Sequence, residues 1–177
     1  MGHRIVVIGS TGSGKTTLAR ELARRLGYRH IEMDSIHWQP NWVETPTDKF
    51  RALLEPLIAE DNWTIDGNYS KVRDLVWRRA DTLIWLDYSL PVIFWRLGWR
   101  SLKRVLFRQE LWNGNREDWG VFFGRDSLFR WVLQSQPRHR REYPLKFHQP
   151  ELAHLKVIHL HSPRETDAWL KNIGIFA

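Results

Sequence analysis

Residues 4–8 (Arg-Ile-Val-Val-Ile) form an unbroken apolar, β-branched run that Gly9 closes. This is the pattern of a strand buried on both faces of a parallel sheet. The period then changes: Leu18, Leu22 and Leu26 recur every fourth residue and Gly27 follows, which predicts a helix over 15–26 with a glycine stop. A second strand is predicted over 28–33. Thr45-Pro46-Thr47-Asp48 opens a further helix whose apolar face is Phe50, Leu53, Leu54, Leu57 and Ile58. Trp63-Thr64-Ile65 reads as a short strand ending in Asp66-Gly67, residues 70–79 as helix and 82–87 as another buried strand. Residues 155–160 and 162–172 form the last strand and helix, the latter opened by the capping box Ser162-Pro163-Arg164-Glu165. Five strands alternating with helices predict a single α/β domain over residues 1–177, built on an open parallel sheet with right-handed crossovers. Residues 92–146 interrupt the alternation as a helical insertion, with a long helix over 92–111 broken at Asn113-Gly114-Asn115.

Composition narrows the class. With 177 residues, 42% hydrophobic and 27% charged, the chain has the material for a folded core and not the bias of a disordered one. It has no cysteine, which excludes disulfides, thiolate metal sites and a thiol nucleophile. No signal-peptide pattern is readable at the N-terminus. The most apolar stretch, 83–95, carries Asp87 and Pro91 and is shorter than the roughly 18–20 residues a spanning helix requires. A cytoplasmic protein without a membrane partner is the expectation. Trp85, Trp95, Trp99 and Trp169 sit among apolar neighbours and read as packing residues. The net charge of +7 resides entirely in residues 93–146, so this block is expected to face anions.

The chemistry is announced by Gly9-Ser10-Thr11-Gly12-Ser13-Gly14-Lys15-Thr16, the G-x-x-x-x-G-K-[ST] pattern, placed directly after a strand and at a helix start. Glycines let backbone N–H groups converge on phosphate oxygens, and the helix N-terminus adds its partial positive charge. Residues 9–17, Thr17 included, are therefore expected to hold the phosphates of ATP. Lys15 would reach the β and γ phosphates and the Thr16 hydroxyl would ligate Mg²⁺. A carboxylate at a neighbouring strand end completes such a metal site. Asp66 and Asp87 both qualify, and Asp66 is favoured because Asp87 also reads as a cap for the following helix. Asp34, placed at the end of the second strand, is a candidate base for an acceptor hydroxyl. His37, Trp38, Asn41 and Trp42 beside it offer one imidazole and stacking surfaces. Arg96, Arg100, Arg104 and Arg108 recur every fourth residue and drift only about 40° per step, forming one helical stripe suited to phosphate oxygens. Arg100 and Arg104 are the candidate catalytic members, Arg96 a phosphate contact, and Arg116 and Arg125 possible additions.

Together with the phosphate loop and Asp34, the segments Trp63-Thr64-Ile65-Asp66-Gly67-Asn68-Tyr69, Leu111-Trp112-Asn113-Gly114-Asn115-Arg116-Glu117 and Ser162-Pro163-Arg164-Glu165 resemble the bacterial P-loop proteins labelled DNA topology modulation proteins. These are similar to adenylate kinases and other nucleoside and nucleotide kinases. The resemblance implies an adenylate-kinase-like three-layer α/β/α P-loop fold with strand order 2-3-1-4-5. It also implies an acceptor region over 35–62, a lid inside 96–127, and adenine contact by the loop at 162–165, Arg164 included. Ser70 stands where adenylate kinases usually carry an arginine, and Arg73 is the available replacement one turn later.

Two functions compete at this point. One is a kinase moving the γ-phosphate of ATP to a small nucleoside, nucleotide or similar acceptor. The other is an ATP-binding regulator that contacts DNA through the basic, Trp-rich insertion. A regulatory GTPase is disfavoured, since no Asn-Lys-x-Asp segment is present.

Overall fold

The computed structural model describes residues 2–124 and 127–173. The chain runs β1 (Arg4–Gly9), α1 (Lys15–Leu26), β2 (Arg29–Glu32), α2 (Met33–His37), β3 (Trp38–Gln39), β4 (Val43–Glu44), α3 (Thr47–Ile58), β5 (Trp63–Asp66) and α4 (Arg73–Arg79). It continues through β6 (Thr82–Leu86), α5 (Leu90–Leu106), α6 (Gly120–Phe123), α7 (Leu128–Phe147), β7 (Lys156–Leu160) and α8 (Pro163–Ile173). Five strands form one parallel sheet in the order β2-β5-β1-β6-β7. The antiparallel pair β3 and β4, which the hydrophobic pattern did not predict, shifts the numbering. Without it, the five run second, third, first, fourth, fifth.

Alternation along β1 sets the two layers. Val6 and Ile8 join Ile31, Ile65, Leu83 and Trp85 under α3 and α4, where Phe50, Leu54, Ile58, Val76 and Trp77 close the core. Ile5 and Val7 join Ile84 and Leu86 on the other face, against Leu18 and Leu22 of α1, Ile93 and Leu97 of α5, and Trp169 of α8. Helix α7 serves both layers, Val132 packing in the second and Tyr143 in the first. The capping box forms in half: the Glu165 N–H donates to Ser162 Oγ at 3.2 Å, while the Glu165 carboxylate accepts from the His161 N–H instead of that of Ser162.

Three local expectations change. The second strand ends at Glu32, and Asp34 sits in the first turn of α2. The long insertion helix stops at Leu106, and Arg108 beyond it has a left-handed φ of 46°, so Arg108 leaves the stripe. Trp95 and Trp99 are 75% and 54% exposed, because the buried face of α5 is Ile93, Leu97 and Ser101, two residues out of phase with them. Trp85 and Trp169 do pack in the layers as expected.

Candidate active site

The loop from Gly9 to Gly14 joins the end of β1 to the start of α1, and two of its positions require glycine. Gly12 and Gly14 have φ of 83° and 93°, left-handed values that a side chain disfavours. A Cβ at Gly12 would also lie 3.0 Å from Leu97 Cβ and 3.1 Å from the Ile93 carbonyl, so α5 rests directly on the loop. Asn68 clamps the loop from the other side: its Nδ2 donates to the Gly9 carbonyl at 2.7 Å and its Oδ1 accepts the Gly9 N–H at 3.2 Å.

Beyond the loop, the Thr16 hydroxyl donates to Asp66 Oδ2 at 2.5 Å, and His30 Nε2 lies 2.8 Å from Asp66 Oδ1. Asp66 is 1% exposed. Of the two candidate carboxylates, it is the one joined to the phosphate-loop threonine. Asp87 does not cap α5, whose N-terminus has no side-chain cap. It pairs instead with Arg140 Nε at 2.7 Å and His159 Nε2 at 3.4 Å. Parallel pairing of β2 with β5 sets Glu32 against Asp66. Burial first, then the charges of Asp66 and Asp34, raise the Glu32 carboxyl above the usual carboxylate range.

Asp34 lies in the same acidic corner. Its Oδ1 accepts the Tyr69 hydroxyl at 2.6 Å, and burial together with that carboxylate holds the phenol above its ordinary value, so it remains a donor. His37 is not an exposed loop residue. It is 2% exposed against Trp38, Phe50 and Tyr69, and burial lowers its pKa.

The arginines of α5 divide their work. Arg96 donates to the Ser13 carbonyl at 3.0 Å, and Arg100 reaches Thr11 Oγ1 at 3.5 Å. Arg104 is bound to Glu117 at 2.7 Å, with Arg100 3.8 Å from the same oxygen. Burial, then the neighbouring Arg104, lowers the pKa of Arg100 to about 10. Arg116 pairs with Glu110, and Arg125 lies outside the described residues. This arrangement turns the stripe inward, onto the loop and Glu117. The basic insertion therefore offers no row of free α5 arginines to a DNA backbone, and the DNA-contacting reading finds no support. Arg164 is exposed on the first turn of α8. Arg73 is laid over the rings of Trp77 and Tyr143, at 5.1 and 5.7 Å, instead of standing in for the arginine that Ser70 replaces.

The segment 112–117 is clasped to the β3–β4 hairpin. Asn115 Nδ2 donates to the Gln39 carbonyl at 2.9 Å and its Oδ1 accepts the Trp42 N–H at 2.8 Å, while Asn113 donates to the Ser35 and Trp38 carbonyls. Asn68, Tyr69, His30, Glu32, Asn113, Asn115 and Glu117 were not among the predicted site residues. Asn68, Tyr69 and residues 113–117 lie in the segments that carry the family resemblance, which was the available signal. His30 and Glu32 could have been found from their period-two spacing around buried Ile31.

Unfilled polar groups around the loop bear on whether a magnesium-bound nucleoside triphosphate fits. The Ser13 hydroxyl and Arg100 Nε are buried without hydrogen-bond partners among the described residues. Lys15 makes no ion pair among the described residues. The N-terminus of α1 has no side-chain cap. Unsatisfied donors around one glycine cradle suit phosphate oxygens, and the Thr16–Asp66 oxygen pair suits a hard cation. The group fits.

A family profile described as an AAA domain matches residues 5–101. A probable gluconokinase of Schizosaccharomyces pombe is 50% identical over 58 residues, covering 33% of this chain and 27% of that protein. A shikimate kinase of Synechococcus is 28% identical over 122 residues, 61% of this chain and 64% of that protein. The chain thus spans less than two thirds of these relatives. The structure of Acinetobacter baumannii shikimate kinase in complex with shikimate superposes with a TM-score of 0.57 at 17% identity, covering 98% of this chain and 91% of that one. That likeness shows the same three-layer P-loop fold. Since the matched segment runs from β1 through the phosphate loop into α5, over more than half of its length, this chain belongs to the AAA domain family.

Proposed function

We propose that this protein is an ATP-dependent phosphotransferase acting on a small, hydroxyl-bearing acceptor. The observation that carries the reading is the arrangement of two carboxylates around one phosphate loop: Asp66 joined to Thr16, and Asp34 held through one oxygen by Tyr69 with its other oxygen free of that bond. Residues 9–17 bind the phosphates, with Lys15 and Arg100 as the cations that meet them. Thr16 and Asp66 hold the magnesium ion, which supplies charge neutralisation at the transferred group when bound. Arg96 braces the loop through the Ser13 carbonyl, and Arg104 positions Arg100 through Glu117. Arg164 and the loop at 162–165 are assigned to the adenine side on the family resemblance. Residues 35–62 hold the acceptor, and the segment inside 96–127 closes over it.

Asp34 takes the acceptor's hydroxyl proton on its free oxygen as that hydroxyl oxygen bonds to the γ-phosphorus of ATP and the bond from that phosphorus to the β–γ bridging oxygen breaks; ADP leaves, and Asp34 then releases the proton to solvent. Arg73 is committed to aromatic rings and Asp34 is placed to act as a base, so a hydroxyl is favoured over a nucleotide phosphate. Two of the similar proteins are named as kinases of gluconate and shikimate. Both compounds are polyhydroxylated carboxylic acids, a class that brings a hydroxyl for Asp34 and an anion for Arg100. The narrower resemblance to the DNA topology modulation proteins, carried by 63–69 and 111–117, is compatible with this site and names no acceptor.

The test is transfer of labelled γ-phosphate to a panel of polyhydroxy acids, sugars, nucleosides and nucleoside monophosphates. Asp34→Asn should lower kcat by about 10²-fold or more with KM for ATP little changed. Wild-type turnover in that variant, or transfer to monophosphates alone, would overturn the assignment.

A further inference from the structure

Asp87, which the site above does not use, is part of a second cluster on the neighbouring strands. Parallel pairing of β6 with β7 sets Trp85 against His159 and Leu86 against Leu160. Side chains alternate faces along a strand, so Trp85 and Asp87 share a face with His159 and His161. The His159 ring lies flat on Trp85, with centroids 3.9 Å apart and planes within 6°. The His161 ring is 3.9 Å from that of His159. One ligating atom from each of Asp87, His159 and His161 lies within 4.8 Å of the other two.

We propose that Asp87, His159 and His161 form a binding site for a divalent cation of the zinc class. Two imidazoles and one carboxylate are a ligand set preferred by zinc, copper and nickel over magnesium or calcium. The cluster has the form such a site needs. Asp87 is 8% exposed and closes the protein side, while His161 is exposed and leaves the remaining coordination position to water. Arg140 Nε holds Asp87 Oδ1 at 2.7 Å, which fixes the carboxylate and leaves Oδ2, the oxygen facing His159, for the ion. An outer partner of this kind orients a metal-binding carboxylate, and the Trp85 stack does the same for one imidazole. Hydrogen bonding alone accounts for less. The contact from His159 to Asp87 is long, at 3.4 Å, and the His161 ring makes no hydrogen bond among the described residues. Ligand atoms on a tetrahedral zinc ion are about 3.3 Å apart, so rotation of the two rings would complete the set.

Bound there, the ion would tie the carboxyl ends of β6 and β7 together, and through Arg140 it would fix α7. It therefore acts on stability. The experiment uses the full chain, stripped with a chelator, and reads melting temperature and calorimetric titration with ZnCl₂, with MgCl₂ in parallel. One zinc ion per chain should bind and raise the melting temperature, and magnesium should not compete for it. His161→Ala, at an exposed position, should melt like the wild type without metal and bind zinc at least about tenfold more weakly. Cobalt substitution should give visible d–d bands that His161→Ala loses. Zinc binding of unchanged affinity in His161→Ala would assign the ion to one of the other six histidines and overturn the proposal. No zinc-dependent shift in the wild type would overturn it too. Should Asp87→Asn fold poorly, His159→Asn provides the second ligand test under the same criteria.

Discussion

Tyr69 occupies one oxygen of Asp34, and this single contact decides what the carboxylate is able to do. Held at 2.6 Å by a phenol that stays protonated, Asp34 is restrained in rotation, and its second oxygen is free of that bond. Tyr69→Phe should therefore leave the fold in place but lower kcat about tenfold, with a smaller change in the KM for ATP, in steady-state assays. Unaltered kcat would mean that Asp34 needs no such orientation. Spacing and position in the sequence single out the loop at 9–16, Asp66 ahead of Asp87, and Asp34, and the structure joins Asp66 to Thr16 and Asp34 to Tyr69. Their supports were not legible there. Asn68, His30 and Glu117 act through partners 59, 36 and 13 residues away, and no local pattern encodes such a contact.

At the scale of elements, the apolar pattern located β1, α1, α3, β6 and α8 to within a residue or two: β1 and β6 are continuous buried runs, α1 and α3 each carry a buried apolar face, and α8 is opened by its capping box. It located α5 less well and gave no boundaries for α7. Helix α5 carries tryptophans on its exposed side, which blurs the period, and α7 contains Pro137 and Pro144, which read as breaks. The β3–β4 hairpin was invisible because its strands have two residues each and are secured from outside, by Asn113 and Asn115. That clasp joins residues 35–42, part of the proposed acceptor region, to the insertion. Asn115→Ala removes its bonds to Gln39 and Trp42 and should destabilise the protein by about 1–3 kcal/mol in chemical denaturation. It should also raise the acceptor KM more than the ATP KM. An equal rise in both would place the clasp outside the acceptor region.

For the whole molecule, the two-layer core around five strands makes stability depend on groups far from the phosphate loop. His139 on α7 is buried beside Tyr143, and burial, then Arg138 and Arg73, lowers its pKa to about 4, whereas the unfolded chain titrates near the usual 6.5. Glu142 and Asp87 oppose this shift weakly. Between these values the unfolded state binds the proton and the folded state does not. The stabilisation from His139 is therefore complete above about pH 6.5 and is lost progressively as the pH falls toward 4, by an amount on the order of 3 kcal/mol. His139→Phe keeps the stack on Tyr143 and should flatten that part of the stability profile; an identical profile would contradict the assignment.

The central claim is that the loop between β1 and α1 is built to hold nucleotide phosphates beside a metal. Calorimetric titration of the wild type and Lys15→Ala with a nonhydrolysable ATP analogue and Mg²⁺ tests it most directly. The account predicts saturable, magnesium-dependent binding by the wild type. It also predicts a loss of at least about tenfold in affinity for Lys15→Ala, whose melting temperature without ligand stays at the wild-type value. Equal affinity of the two proteins, or binding indifferent to magnesium, would contradict it.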